Sequence, residues 1–72
     1  MRYAIVIERG PASYGAYVPD LPGCVSAAET RDEAIRLIRE AIEFHIEEMR
    51  EGGLEVPEPL SSAEYVEVLT AQ

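Results

Sequence analysis

AYVPDLPGCVSAAETRDEA, residues 16–34, carries three structural signals in immediate succession. Pro22-Gly23 suits the two central positions of a type II turn, because proline presets φ and glycine accepts a positive φ. The short run of small residues that follows, residues 24–28, is predicted to be a strand. Thr30-Arg31-Asp32-Glu33 is a capping box, in which Thr30 and Glu33 can each satisfy an amide at the start of a helix. The sequence therefore predicts a turn, a strand and a helix start without a linker between them.

Two more strands are predicted on the N-terminal side of this stretch. Residues 2–9 are rich in β-branched side chains that alternate between two faces, and residues 13–18 resume the same extended pattern after Gly10-Pro11. Pro19 ends the second strand because proline cannot donate to a sheet ladder. These two strands and residues 24–28 are predicted to form an antiparallel meander.

On the C-terminal side, one long helix is predicted to run from its Thr30 cap to Arg50 or Glu51, with Gly52 as a left-handed C-cap. Residues 65–69 are predicted to form a last strand. A right-handed crossover through the helix would make this strand parallel to the first one, at its free edge. The predicted fold is a single α+β domain over residues 1–72, β-β-β-α-β, with a four-stranded sheet in the order 3-2-1-4 and one helix on one face.

Composition excludes several classes of function. Fourteen acidic residues stand against six arginines, for a net charge of −8. Because phosphate binding needs a basic surface, direct binding of nucleic acid is not expected, whereas a basic protein is a suitable partner. No apolar run approaches the roughly 20 residues that span a membrane, and the N-terminus does not resemble a signal peptide. A single cysteine fits a reduced compartment, so a cytoplasmic location is predicted.

The sequence offers few reactive side chains. Cys24 has no identifiable group to lower its pKa, and His45 lies on an apolar helical stripe without a nucleophile or carboxylate partner. We interpret both as structural residues and predict no catalytic residue, no metal site and no cofactor. The stiff loop around Asp20, between Pro19 and Pro22, leaves two interpretations open: a hairpin made rigid for stability, or a preorganised contact for a partner.

Burial predicts that the chain does not act alone. The first strand is apolar on both faces near its centre, which is typical of a sheet covered on both sides. One helix covers only one face, so a second chain is expected on the other. The residues predicted for this oligomer interface are Ala4, Val6, His45, Ile46 and Met49.

The same motifs together resemble the HicB antitoxin family. The resemblance extends over about residues 2–69 and includes a Gly-x-x-x-x-Pro-x-Pro segment after the helix. The matching residues are Tyr17, Pro19, Asp20, Leu21, Pro22, Gly23, Cys24, Thr30, Glu33 and Ala34, followed by Gly52, Val56, Pro57 and Pro59.

This resemblance implies a partial RNase H-like fold and a role in neutralising HicA toxins, which are small basic proteins that cleave mRNA. Many members carry a C-terminal DNA-binding domain, and because the sequence ends at Gln72 a short form without it is expected. We therefore expect a non-enzymatic inhibitor that covers the RNA-binding surface of a basic toxin. The predicted toxin contacts are Tyr17, Asp20, Leu21, Glu43 and Glu47.

Two alternatives belong to other classes of function. The first is an orphan self-associating domain with a structural or assembly role and no toxin partner. The second is a residual metal-dependent nuclease, for which Glu8, Asp20 and Glu67 do not make a recognisable carboxylate cluster.

Overall fold

The computed structural model describes residues 1–71 as a three-stranded antiparallel sheet with one long helix. The elements follow in the order β1 (Val6–Arg9), β2 (Tyr14–Tyr17), β3 (Val25–Ala28) and α1 (Arg31–Glu51). The sheet order is β1-β2-β3, with Val6 opposite Tyr17 and Tyr17 opposite Val25. The meander and the single helix are thus confirmed, with strands shorter than predicted.

The turn before β3 has the predicted geometry. The Cys24 N–H donates to the Leu21 carbonyl at 3.1 Å, and Gly23 has a φ of +85°. A positive φ at the third position of a four-residue turn defines type II. The Val18 N–H also donates to the Cys24 carbonyl at 3.2 Å, so the loop is closed on itself by backbone hydrogen bonds.

The helix is capped at both ends. The Thr30 hydroxyl accepts from the Glu33 N–H at 3.2 Å, while the Glu33 carboxylate accepts from the Arg36 guanidinium instead of turning back to Thr30. At the other end the Leu54 N–H donates to the Met49 carbonyl at 2.8 Å, and the Gly53 N–H donates to the Arg50 carbonyl at 3.1 Å. This pair of hydrogen bonds is a Schellman motif.

The left-handed residue at this end is Gly53, not Gly52 as predicted. Gly53 has a φ of +72°, whereas Gly52 has a φ of −81°. In a Schellman motif the left-handed residue follows the C-cap directly. The C-cap here is Gly52, so the left-handed residue is Gly53, and the sequence has a glycine at both positions.

The core lies between the helix and the β2 and β3 strands. The helix packs mainly on these two strands, and the Ser26 hydroxyl donates to the Ala34 carbonyl at 2.9 Å, which fixes the start of the helix on the sheet. The buried residues are Ala16, Val18, Leu21, Cys24, Ala34 and Ile38. Partly buried side chains of residues 3–7 and of the middle of the helix complete this cluster: Tyr3, Ile5, Ile7, Ala41 and Ile42.

The predicted fourth strand is wrong, and with it the order 3-2-1-4. Residues 54–71 contain no helix or strand, and the side chains of Tyr65 and Leu69 are 94% and 100% exposed. Strand propensity is expressed only where side chains find a surface to pack against. Because the helix lies over β2 and β3, a strand beside β1 would have little of the helix to cover it.

Candidate protein-interaction surfaces

Asp20 ties its loop to the segment that follows the helix. Its carboxylate accepts from the Ser61 N–H at 2.8 Å and from the Ser61 hydroxyl at 2.8 Å. The Ser61 amide and then the Ser61 hydroxyl lower the pKa of Asp20, because both bonds favour the charged carboxylate. Asp20, predicted as a partner contact, therefore has both oxygens engaged within its own chain.

A second hydrogen bond, like those to Asp20, ties the segment after the helix to the rest of the domain; we call both of these contacts tethers. The Tyr3 hydroxyl donates to the Pro57 carbonyl at 2.5 Å, across 54 positions of sequence. Together the two tethers hold residues 57–61, which we call the return segment, against the N-terminal residues and against the loop between β2 and β3. The sequence reasoning missed both, since a tyrosine or a serine in an irregular segment carries no periodicity that indicates its partner.

Leu21, also predicted as a partner contact, is wholly buried at 0% exposure. The loop contains two turns, one closed by the Leu21 N–H donating to the Val18 carbonyl and one by the Cys24 N–H donating to the Leu21 carbonyl. The Leu21 side chain between them packs in the core. In this structure its role is to anchor the loop rather than to present an apolar side chain to a partner.

The face of the sheet opposite the helix exposes apolar side chains. Ala16 and Ser26 face the helix, so their neighbours Tyr17 and Val25 point to the opposite side. Tyr17 is 40% exposed and Val25 is 63% exposed. This outer face also carries Val6, opposite Tyr17, which was predicted for the oligomer interface.

A groove runs between the helix and the N-terminal residues; we call it the helix groove. It encloses about 770 Å³, and its apolar side chains are Met1, Tyr3, Ile5, Ile35, Ile38, Ile42 and Ile46. Its charged residues are Glu43, Glu47 and Glu51 against Arg39 and Arg50. The groove therefore combines an apolar floor with a rim in which acidic residues outnumber basic ones.

A second groove lies beside β1; we call it the edge groove. It encloses about 710 Å³ and is lined by Ile5, Val6, Ile7, Arg9, Tyr14, Arg31, Ile35 and residues 62–65. Ile5 and Ile35 line both grooves, so the two are contiguous. The charges that β1 and the helix contribute here are basic, in contrast to the helix groove.

The structure brings together only some of the predicted interface residues. Glu43 and Glu47, predicted for the toxin, lie in the helix groove with Ile46, which was predicted for the oligomer interface. Tyr17 lies apart from them on the outer face. Ala4, His45 and Met49 are half-buried and line neither groove.

The side chains that could carry out catalysis or bind a metal ion lie in surroundings that favour a structural role. Cys24 is 4% exposed, and burial raises the pKa of its thiol, which disfavours the nucleophilic thiolate. Within residues 1–71 no group of three or more His, Cys, Asp or Glu side chains is placed to hold a metal ion. No helix in this described part of the chain is long and apolar enough to cross a membrane.

These features define a small α+β domain with an apolar outer sheet face and two contiguous grooves, and comparison with known proteins places it among bacterial antitoxins. Residues 3–70 match the family described as the HicB-like antitoxin of bacterial toxin-antitoxin systems. The chain belongs to the HicB-like antitoxin family.

Individual relatives agree with this assignment. The chain is 44% identical over 66 residues to a 14.9 kDa protein from the rep-hol intergenic region of Haemophilus phage HP1, covering 92% of this chain and 50% of that protein. It is 30% identical over 73 residues to antitoxin HicB 2 of Photorhabdus laumondii, covering 94% of this chain and 50% of that protein. The chain thus spans half the length of these two relatives.

A solved structure supports the fold. The crystal structure of the N-terminal domain of the Burkholderia pseudomallei antitoxin HicB aligns with a TM-score of 0.71 and 41% sequence identity. The alignment covers 81% of this chain and 69% of that chain. At 41% sequence identity, the similarity indicates common ancestry as well as a shared fold.

Proposed function

We propose that this chain is an antitoxin that binds a small, basic, mRNA-cleaving toxin of the HicA type and neutralises it by covering its RNA-binding and catalytic surface. The observation that carries the proposal is the family match over residues 3–70. The net charge of −8 supports it, because opposite charges speed the encounter of two proteins and select the partner.

The helix groove is the surface we assign to the toxin. Its apolar floor can hold the side chain of a partner, and Glu43 and Glu47 at its rim are exposed and can pair with a basic surface. Tyr17 stays a proposed peripheral contact on the outer face. Leu21 is not part of this proposal, since it is buried in the core.

The direct test is inhibition of mRNA cleavage. A purified HicA-type toxin is incubated with an mRNA, and the full 72-residue chain is added in increasing amounts. We expect cleavage to stop near equimolar antitoxin. Cleavage that persists in a large excess of the chain, without complex formation by size-exclusion chromatography, would contradict the proposed function.

The assignment of the surface has its own test. Glu43→Arg combined with Glu47→Arg should lower the association rate constant for the toxin by about tenfold or more at low salt, because it reverses the charge of the rim. The matched control combines Glu48→Arg with Glu55→Arg, two exposed positions that do not line the groove. Stopped-flow measurements in which both double variants slow association equally would show that only net charge matters and would remove the groove from the proposal.

We also propose that the chain self-associates. The specific observation is the amount of apolar surface that one chain leaves exposed, including Val25 at 63% and four side chains of residues 65–69. Surfaces of this kind on a small protein are commonly covered by another chain. An orphan domain that only self-associates predicts the same oligomer, but it predicts no inhibition of the toxin in the cleavage assay.

A further inference from the structure

The α1 side of the helix groove is built from two adjacent rows of residues. Each row repeats every four residues, which is the spacing of a ridge on the surface of a helix. All nine α1 residues that line the groove belong to these rows: Ile38, Ile42, Ile46 and Arg50 in the first row, and Ile35, Arg39, Glu43, Glu47 and Glu51 in the second. The groove therefore follows the space between two ridges, where a second helix can pack a ridge of its own.

The opposite wall is formed by the residues that lead into β1. Met1, Tyr3 and Ile5 line the groove, so every second residue faces it, as in an extended chain. The Tyr3 hydroxyl donates to the Pro57 carbonyl at 2.5 Å, which fixes the middle of this wall. Ile38 in the floor is 1% exposed, whereas Met1 in the wall is 73% exposed. The groove is thus closed at its floor and open to solvent along its outer side.

The length and chemistry of the α1 side favour a helical occupant over an extended one. From Ile35 to Glu51 the groove follows the helix for about 24 Å, at 1.5 Å per residue. Backbone groups within a helix pair with one another, so this side offers an occupant mainly side chains. An extended segment lying on it would bury unpaired backbone groups, whereas a helix satisfies its own.

The charges of the second row specify the chemistry of the occupant. Glu43, Glu47 and Glu51 are exposed and follow one another at four-residue spacing along the groove. On a facing helix, basic side chains at the same spacing would meet these three carboxylates together. The row begins with Arg39, so a neutral or acidic residue at that end of the occupant completes the match and sets its register. The groove therefore fits a helix with an apolar face flanked by a basic row.

Other occupants would meet like charge in this groove. Nucleic acid would bring phosphates beside the three glutamates, in a chain of net charge −8. The α1 helix of a second copy would bring the same acidic row against this one. A basic amphipathic helix of a different protein supplies both the apolar side chains and the opposite charge.

We propose that the helix groove binds one amphipathic α-helix of the toxin, which inserts apolar side chains between the two α1 rows and sets Lys or Arg side chains against Glu43, Glu47 and Glu51. The inference rests on the proposed function and adds the docking element of the partner, its composition and its register. About four turns of such a helix span the groove. The apolar ridge anchors the helix, and the charged row selects it.

A synthetic helix tests the groove without the toxin. The probe is a fluorescent peptide of about 18 residues, with leucines three or four residues apart on one face and lysines at four-residue spacing beside them. The control peptide has the same composition, but its leucines are distributed around the helix. We expect fluorescence anisotropy to show that the full chain binds the probe about tenfold or more tightly than the control peptide. Equal affinities would mean that net charge alone attracts the peptide and would overturn the proposal.

Variants of the full chain locate the binding. Ile46→Glu places a charge in the apolar row and should weaken binding of the probe by about tenfold or more. The matched control is Phe44→Glu, at a position on the same helix that is 63% exposed and does not line the groove. Circular dichroism checks that both variants fold. Equal affinities of the two variants for the probe would overturn the proposal.

A charge exchange at an exposed position keeps the test independent of folding. Glu47→Lys should weaken binding of the lysine probe, and a probe with glutamate in place of the facing lysine should restore it. A loss that no position of glutamate in the probe restores would contradict the pairing of the two rows.

The toxin itself separates this inference from the proposed function. A photoreactive group in place of Glu47 should cross-link to a helix of a HicA-type toxin that carries apolar and basic residues at helical spacing. Cross-links only to a strand or loop of the toxin, in a complex that still stops mRNA cleavage, would overturn the helical docking and leave the antitoxin function standing. If the wild-type chain binds the probe but does not stop cleavage, the proposed function fails, and with it the toxin as the source of the helix.

Discussion

Leu21 shows how a single side chain can convert a surface loop into part of the core. It lies between Pro19 and Pro22, in a loop closed by two backbone turns, and it is wholly buried. The sequence predicted the stiffness of this loop and the type II turn at Gly23. It did not predict that the Leu21 side chain points into the core, because a loop residue has no helical or strand periodicity from which a buried face can be inferred.

Leu21→Ala should therefore lower the free energy of unfolding by about 2–5 kcal/mol, the cost of emptying a fully buried leucine site. In a domain of this size one core rarely supplies more than about 3–5 kcal/mol, so much of the variant would be unfolded. Urea denaturation followed by circular dichroism measures the change. Leu60→Ala, at a position 85% exposed, is the matched control and should be close to wild type. Equal stability of the two variants would contradict the anchoring role.

At the scale of elements, the sequence predicted best where local rules act alone. The bounds of α1 follow from the Thr30 cap and the apolar stripe, and three strands follow from alternation and turn residues. It failed at residues 65–69, where a strand depends on a surface supplied from elsewhere. It also failed between Gly52 and Gly53, because the two glycines satisfy the same local rule and only the backbone geometry separates them.

The end of the helix gives a matched pair of substitutions. Gly53→Ala should lower the free energy of unfolding by about 1 kcal/mol, because its φ of +72° is unfavourable for a residue with a Cβ. Gly52→Ala, at a φ of −81° and with only ordinary contacts around a new Cβ, should change it by less than about 0.5 kcal/mol. Thermal denaturation of both variants checks this, and a larger loss for Gly52→Ala would contradict the Schellman assignment.

At the scale of the whole molecule, the chain is organised by contacts between residues far apart in sequence. The Asp20–Ser61 pair spans 41 positions, and the Tyr3–Pro57 pair spans 54. Of the five predicted toxin contacts, Glu43 and Glu47 share one groove, whereas Tyr17 lies on another face and Leu21 in the core. A list of exposed or charged residues can be read from sequence, but which of them share a surface is decided by this long-range packing.

The Asp20–Ser61 tether should be released by acid. Hydrogen bonds from Ser61 lower the pKa of Asp20 below its usual value of 3.8. A carboxyl whose pKa is lower in the folded state stabilises that state above its unfolded pKa, and the contribution is lost as the pH falls through the folded pKa. The bond should therefore be intact at pH 5 and above, and weaken below about pH 4.

The amide proton of Ser61 reports this transition directly by NMR. Its chemical shift should titrate with a midpoint below 3.8, while the neighbouring Ser62 amide should change much less. In Asp20→Asn the titration of Ser61 should vanish, because no carboxylate remains to be protonated. A Ser61 midpoint at or above 3.8, or one that persists in Asp20→Asn, would mean that another group controls the return segment. With the tether released, residues 62–65 should lose their fixed position beside the edge groove.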